Sequence, residues 1–216
     1  MNKIKAVIFD MDGVLVDTEA SYQERRRSFM ESQGYDVSQI NWLDFIGETF
    51  ETLWDRIEPL VDVDCATLQE RYVTYKKAHP LHYESVVTPH VIETIKQLHD
   101  EGYTLAVASA SSLSDIQRAL DVMGVRDCFT SLLSGRDLER TKPYPDIYIQ
   151  TLEKLGLPAT EAIAVEDSPV GIQAARSAGL YTVAYHNPFY QLDQSQSQQQ
   201  ITDMRQLPTI LARLSS

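Results

Sequence analysis

Cysteine is nearly absent from this chain: Cys65 and Cys128 are the only two among 216 residues, far apart and outside any metal-ligand spacing. That argues against a disulfide framework and against a thiolate metal site, and it fits two thiols in a reducing cytoplasm. Long apolar runs are missing too. No stretch approaches the roughly 18 unbroken apolar residues of a membrane helix, so a membrane is not an expected partner. The opening MNKIKAVIFDMD starts basic, but its apolar run is short and meets acids, which does not read as a signal peptide. Positive charge is the third shortage. Nineteen Lys and Arg face 31 Asp and Glu, a formal net charge of -12. A phosphate backbone needs a basic face, so nucleic acid is not an expected partner either. The same surplus repels a phosphorylated metabolite unless its site carries local positive charge.

What is present is an ordinary globular composition, 43% hydrophobic and 23% charged. Residues 4–9 are apolar at nearly every position, as in a strand buried on both faces. Similar runs recur at TLAVAS (104–109) and AIAVED (162–167), with a weaker one at LYTVAY (180–185). Helical patterns accompany them at 91–102, 114–124, 145–156 and 169–179, each closed by a glycine placed to end a helix. Alternating strands and helices predict an α/β fold, a parallel sheet with helices on both faces and ligands beyond the carboxyl ends of the strands. Residues 18–84 break the rhythm, with helix-like segments at 19–33, 50–58 and 64–79 and no buried strand. They read as a helical insert, so the expected domains are 1–17 with 85–216, and 18–84. DQSQSQQQ (193–200) reads as a polar surface loop and QLPTILARLSS as a short closing helix.

Three predicted strands end in polar residues: Asp10 and Asp12 after the first, Ser109 after the second, Glu166 and Asp167 after a later one. As neighbours in a parallel sheet they converge on one edge. Four carboxylates gathered there raise one another's pKa and call for a hard divalent cation, Mg2+ being the usual choice beside phosphates. In an extended chain, residues two apart share a face, so one carboxylate can attack while the other handles a proton. Gly13 permits the sharp turn that follows. Each residue also has a plainer reading. Lys142 could be a loop lysine, Ser109 a cap for the next helix, and Glu166 and Asp167 solvated acids with Asp167 or Ser168 starting a helix. Thr18 and Glu19 read as helix-start residues, and the five histidines show no ligand spacing.

DMDGVLVD (10–17), ASAS (108–111), TKPYPDIY (141–148) and VEDSPVGIQAA (165–175) resemble, in order, the four motifs of the haloacid dehalogenase superfamily, and within it the β-phosphoglucomutase-like phosphatases. The resemblance spans roughly residues 4 to 185. It implies a Rossmann-like core with an α-helical cap, the cap being the 18–84 insert, joined by linkers near 15–18 and 82–87 and able to close over the site. Asp10 matches the family nucleophile that becomes an aspartyl-phosphate, and Asp12 the general acid/base. The Mg2+ cofactor would be held by the Asp10 carboxylate, the Asp12 backbone carbonyl and Asp167, with Glu166 nearby. Ser109 and backbone N–H groups around Ala110 would hold phosphoryl oxygens, and Lys142 would supply the local cation.

The expected activity is that of an Mg2+-dependent phosphatase of a small phosphomonoester such as a sugar phosphate, in a cytoplasmic monomer. The mutase pattern Asp-Thr-x-x-x-His becomes Asp17-Thr18-Glu19-Ala20-Ser21-Tyr22, and the Gly-x-Ser-Arg-x-x-Ser element becomes Gly47-Glu48-Thr49-Phe50-Glu51-Thr52-Leu53. Losing the arginine removes a bidentate grip on a second phosphate. Phe50, Trp54 and Tyr22 read either as an aromatic substrate face or as packing between cap helices. A β-phosphoglucomutase is the alternative activity; a catalytically silent sensor of phosphometabolites is a more distant one.

Overall fold

In the computed structural model, residues 3–45, 54, 57–61 and 63–215 are described. They fall into two compact units, Met1–Asp17 with Tyr83–Ser216, and Thr18–His82.

The first unit is built on β1 (Ala6–Phe9), whose four residues are all buried. The strand lies at the centre of a six-stranded parallel sheet. Its companions are β2 (Thr104–Ser109), β3 (Phe129–Ser134), β4 (Ala162–Glu166), β5 (Tyr181–Tyr185) and β6 (Gln199–Ile201), in the order β3-β2-β1-β4-β5-β6. Phe9 pairs with Val107 on one side and Val165 on the other. Asp10, Ser109 and Glu166 therefore emerge at one edge of the sheet. The chain runs outward from β1 through β2 and β3, then returns to β4 on the other side. The edge between β1 and β4 is thus the topological switch point, where crossovers leave a crevice.

Helices cover the sheet as the periodicity predicts: α3 (Val91–Asp100), α4 (Leu113–Met123), α5 (Asp146–Leu155), α6 (Pro169–Ser177) and α7 (Leu207–Leu214) follow α1 (Glu19–Ser32) and α2 (Cys65–Ala78) of the other unit. Ala6 and Ile8 of β1 pack in one cluster with Ile147, Tyr148 and Leu152 of α5 and Ala174 and Ala175 of α6. Small alanines on β2, β4 and α6 let helix and sheet approach closely. The cap of α4 is Ser112, which accepts from Asp115 N, so Ser109 is not that helix's cap. Ser168 caps α6 by accepting from Gly171 N.

Two strands depart from the expectation. β3 lies at an edge of the sheet and is partly exposed, so FTSLLS lacks the continuous apolar run of a central strand. β6, at the opposite edge, begins inside the polar tract that reads as a surface loop; Gln199 and Gln200 pair with Val183 and Ala184 through their backbones, which demands nothing of their side chains.

The second unit holds α1 (Glu19–Ser32) and α2 (Cys65–Ala78), with short 3-10 turns at Trp42–Phe45 and Glu58–Leu60. Its core joins Phe29, Met30, Val37, Phe45, Trp54, Ile57, Leu68 and Tyr72. Trp54 meets Phe29 edge-on at 6.0 Å and Tyr72 at 5.4 Å, so it belongs to the packing of this unit. Tyr22 is half-buried, with the Arg25 guanidinium 5.3 Å from its ring centre. Thr18 begins α1 with no side-chain cap bond. Of the helix expected at 50–58 only Trp54, Ile57 and Glu58 are described, and the element at 47–53, with Phe50 and Leu53, lies outside the described residues.

Both tryptophans, Trp42 and Trp54, sit in the second unit, so their fluorescence reports on it. Phe29→Ala removes the ring that touches Trp54, Tyr72 and Tyr75. The expected loss is about 3–5 kcal/mol, seen as a lower midpoint in a urea titration followed by tryptophan emission. An unchanged midpoint would contradict this account of the core.

Candidate functional site

The ladder between β1 and β4 continues one residue past the strands, where Asp10 N donates to Val165 O at 2.9 Å. That bond holds Asp10 at the sheet edge with little exposure, 7%. The chain then folds over itself: Val14, Leu15 and Val16 all donate to Met11 O. Gly13 is required in this turn. Its φ is +80°, and a Cβ there would stand 2.0 Å from Asp167 Oδ2.

Lys142 is the electrostatic centre. Its Nζ donates to Asp10 Oδ1 at 2.6 Å, to Glu166 Oε1 at 2.6 Å and to Ala108 O at 3.1 Å, so all three ammonium hydrogens are used. Glu166 is fully buried and further held by Tyr148, whose hydroxyl donates to Oε1 at 2.5 Å, and by Asp167 N, which donates to Oε2 at 3.2 Å. Gly171 makes room for it, since a Cβ there would lie 2.1 Å from Glu166 Oε2.

Burial is the largest influence on Asp10, Lys142, Tyr148 and Asp167. It pushes the Asp10 carboxyl up to about 7; Lys142 pulls it back, while Glu166 and Asp12 push it further up. Asp167 is raised well above the ordinary carboxyl range by burial and then by Glu166 and Asp10. Burial alone would depress Lys142, yet the facing Asp10 and Glu166 carboxylates outweigh it and hold the ammonium well above the ordinary lysine range. Tyr148 is held protonated by burial and by Glu166.

Asp12 belongs to a second group of contacts. Its Oδ2 accepts from Ser111 Oγ at 2.7 Å and more distantly from Ser109 Oγ at 3.5 Å. Ser109 is fully buried and accepts from Ser111 N at 3.0 Å. Ser134, from β3, donates to Ser111 O at 2.8 Å and so fixes the turn after β2, where Ala110 is exposed. One oxygen each from Asp10, Glu166 and Asp167 lies within 4.8 Å of the others, a donor set of the kind a hard cation takes. The Asp12 carboxylate is not part of that set.

The structure thus brings Asp10, Lys142, Glu166 and Asp167 into one cluster and Asp12, Ser109 and Ser111 into another beside it. Tyr148, Ser111, Ser134 and Gly171 have no role in the sequence reading, although all but Ser134 lie inside its quoted motifs. Sequence carries no signal for Tyr148 beyond its place in TKPYPDIY, because its hydroxyl must find a partner only once packing buries it. The linker is also more tightly tied than its sequence suggests. Asp17 N donates to Val86 O and Thr88 N to Leu15 O, and the Asp17 carboxylate accepts from Asn187 Nδ2 and Tyr190 Oη, each at 2.9 Å.

Comparison with known proteins adds an independent line. The sequence profile of the haloacid dehalogenase-like hydrolases matches residues 7–185. Hexitol phosphatase B of Escherichia coli K12 is 31% identical over 196 residues, covering 88% of this chain and 87% of its own. A predicted phosphoglycolate phosphatase from Haemophilus somnus has the same fold, with a TM-score of 0.80 at 24% identity over 97% of this chain and 99% of that one. So does a β-phosphoglucomutase from Clostridium difficile, with a TM-score of 0.76 at 20% identity over 98% and 97%.

The pKa directions define a stability profile for metal-free protein. A carboxyl raised from 3.8 to about 7 keeps its proton more tightly in the folded chain, so its contribution is full below 3.8 and falls as pH rises towards 7. In EDTA, wild-type protein should lose more thermal stability between pH 4 and 7 than Asp10→Asn does. Lys142→Met leaves buried carboxylates without their cation and should cost about 3–5 kcal/mol at neutral pH. Parallel pH profiles, or a Lys142 variant as stable as wild type, would contradict this electrostatic picture.

Proposed function

This chain is an enzyme that belongs to the haloacid dehalogenase-like hydrolase family, and from that premise we propose that it is an Mg2+-dependent phosphatase working through an aspartyl-phosphate on Asp10. The observation that carries the proposal is the contact of Lys142 Nζ with Asp10 Oδ1 at 2.6 Å, with Asp167 in the same cluster and Asp12 two residues further on. A carboxylate held by an ammonium at a sheet edge is aimed, and Lys142 favours its ionised form against the burial that raises it, as a nucleophile requires.

In the first half-reaction the Asp10 carboxylate attacks phosphorus and the bond to the leaving oxygen breaks, with Asp12 donating its proton to that oxygen. In the second, Asp12 takes a proton from water, the water oxygen attacks phosphorus, and inorganic phosphate leaves with Asp10 restored. Ser109 and backbone N–H groups around Ala110 hold phosphoryl oxygens, and Lys142 offsets the charge gathered between nucleophile and phosphate.

The oxygen donors of the cluster fit a hard divalent cation. Asp10 and Asp167 would hold it together with the Asp12 backbone carbonyl. Glu166 acts on Lys142 and on the Asp167 peptide instead, because Lys142, Tyr148 and Asp167 N already occupy its oxygens. When bound, Mg2+ supplies charge neutralisation for the carboxylates and the phosphoryl oxygens.

The 18–82 unit serves as the cap in this reading, and a small phosphomonoester such as a sugar phosphate is the substrate; the name of the relative hexitol phosphatase B supports a small phosphorylated polyol or sugar. The enzyme acts as a cytoplasmic monomer; among the described residues no helix is long and apolar enough to cross a membrane. A silent sensor would be expected to lack the nucleophile or the acid, and Asp10 and Asp12 are both present.

Hydrolysis of an aryl phosphate should need Mg2+ and stop in EDTA, and Asp10→Ala should lose about 10⁴-fold or more in kcat. Undiminished turnover in that variant would overturn the nucleophile assignment. Phosphatase and mutase separate on β-glucose 1-phosphate given with a bisphosphate primer. Tyr22 stands where the mutase pattern has histidine, and Phe50 and Leu53 replace its arginine and serine. Each lost charge-assisted grip on the distal phosphate is worth about 1.5–3 kcal/mol. Inorganic phosphate should therefore form well ahead of glucose 6-phosphate; the reverse order would make the enzyme a mutase.

A further inference from the structure

The glutamine-rich tract near the C-terminus contains one residue unlike its neighbours. Of the glutamines between 191 and 200, only Gln194 is buried, at 4% exposure. Its amide nitrogen donates to two backbone carbonyls, Asp167 O at 2.6 Å and Tyr185 O at 2.8 Å. Both partners can only accept, so the orientation of the amide is fixed by the contacts themselves. The remaining oxygen, Oε1, is buried and has no hydrogen-bond partner among the described residues. A side chain so placed leaves one acceptor unsatisfied to serve two carbonyls at the strand ends.

Those carbonyls matter because of where they lie. The last ladder pair between β4 and β5 is Glu166 with Ala184. Beyond it the two chains part, Asp167 towards α6 and Tyr185 towards the loop after β5. Gln194 bridges the two chains just past that pair. Asp167 is thereby held from both sides of its own residue: its N–H donates to Glu166 Oε2, and its C=O accepts from Gln194. Gln194 is itself fixed by a turn in which Ser197 donates to its carbonyl through both N and Oγ, at 3.0 and 2.8 Å.

We propose that Gln194 is a positioning residue for the metal site, setting the Asp167 carboxylate through the Asp167 carbonyl, so that divalent-cation affinity depends on the last turn before β6. This rests on the metal reading given above. Losing a partner behind a metal ligand weakens binding about 10- to 100-fold.

The test is titration calorimetry of Mg2+ into EDTA-stripped protein, without substrate, comparing wild type with Gln194→Leu, Gln194→Glu and, as a control, Gln198→Ala. Gln198 makes a similar contact in the same tract, accepting from Thr182 N at the opposite end of β5, far along the strand from Asp167. The expected result is a dissociation constant raised about 10-fold or more in both Gln194 variants and unchanged in the control. Thermal melts accompany the titrations, and should Gln194→Leu prove unfolded, Gln194→Glu, nearly isosteric, carries the comparison. Wild-type affinity in a folded Gln194 variant overturns the proposal and leaves the metal reading standing. So does equal weakening in Gln198→Ala, which would reduce the effect to general loosening of the tract. Wild-type protein that binds no Mg2+ overturns the metal reading itself, and this proposal with it.

Discussion

The contact on which the structure depends is the buried ammonium of Lys142 against two carboxylates and a carbonyl. Glu166 has no exposure, and Asp10 and the lysine itself have very little. Taking such charges out of water costs several kcal/mol per ion, and their attraction compensates only where geometry and further hydrogen bonds are good. Here the lysine spends every donor, and Glu166 collects Tyr148 and the Asp167 peptide besides. Other features exist to make that geometry possible. Gly171 is a glycine because Glu166 occupies the space of its side chain, and Gly13 because Asp167 does. A fold seeking stability alone would fill this volume with apolar groups; the charge is retained where chemistry uses it.

The sheet makes the arrangement affordable in conformational terms. β1, β2 and β4 are buried almost throughout, so their ends are held rigidly by neighbours on both sides. Each delivers its polar residue to the edge without needing a long loop to aim it. Rigid strand ends suit a reaction whose demand is positioning and electrostatics. By contrast, the second unit has its own aromatic core.

Much of this was legible in the sequence, for physical reasons that differ from residue to residue. Buried parallel strands read as apolar runs, and an acid set directly against such a run is conspicuous, which is how Asp10, Glu166 and Asp167 stand out. The acids create a need for a cation, but it is the resemblance of TKPYPDIY to a family motif that picks out Lys142 among 19 Lys and Arg. Tyr148 and Gly171 are ordinary helix residues in sequence; their meaning depends on Glu166 lying beneath them, which only the packing of α5 and α6 against the sheet brings about. β6 was hidden because an edge strand joins through its backbone, so polar side chains carry no signal. Gln194 was hidden for a related reason. It bonds to carbonyls, which every residue has, and nothing in its neighbours marks which glutamine turns inward.

Charge counting then indicates how the site must treat a phosphate. With Asp10, Asp12, Glu166 and Asp167 all ionised against Lys142, the site carries a net charge of -3. Burial first, and then the neighbouring carboxylates, drive Asp10 and Asp167 upward in pKa against that state. A divalent cation reduces the charge to -1 without reversing it. A phosphate dianion therefore meets no net attraction from the ionised side chains. On the proposed phosphatase reading its binding would come from direct contacts at short range, from the cation, Lys142, Ser109 and the N–H groups of the turn after β2. A site of the proposed kind would favour the species whose charge is best matched to those fixed donors, the transferring phosphoryl group, over free phosphate held by a general field.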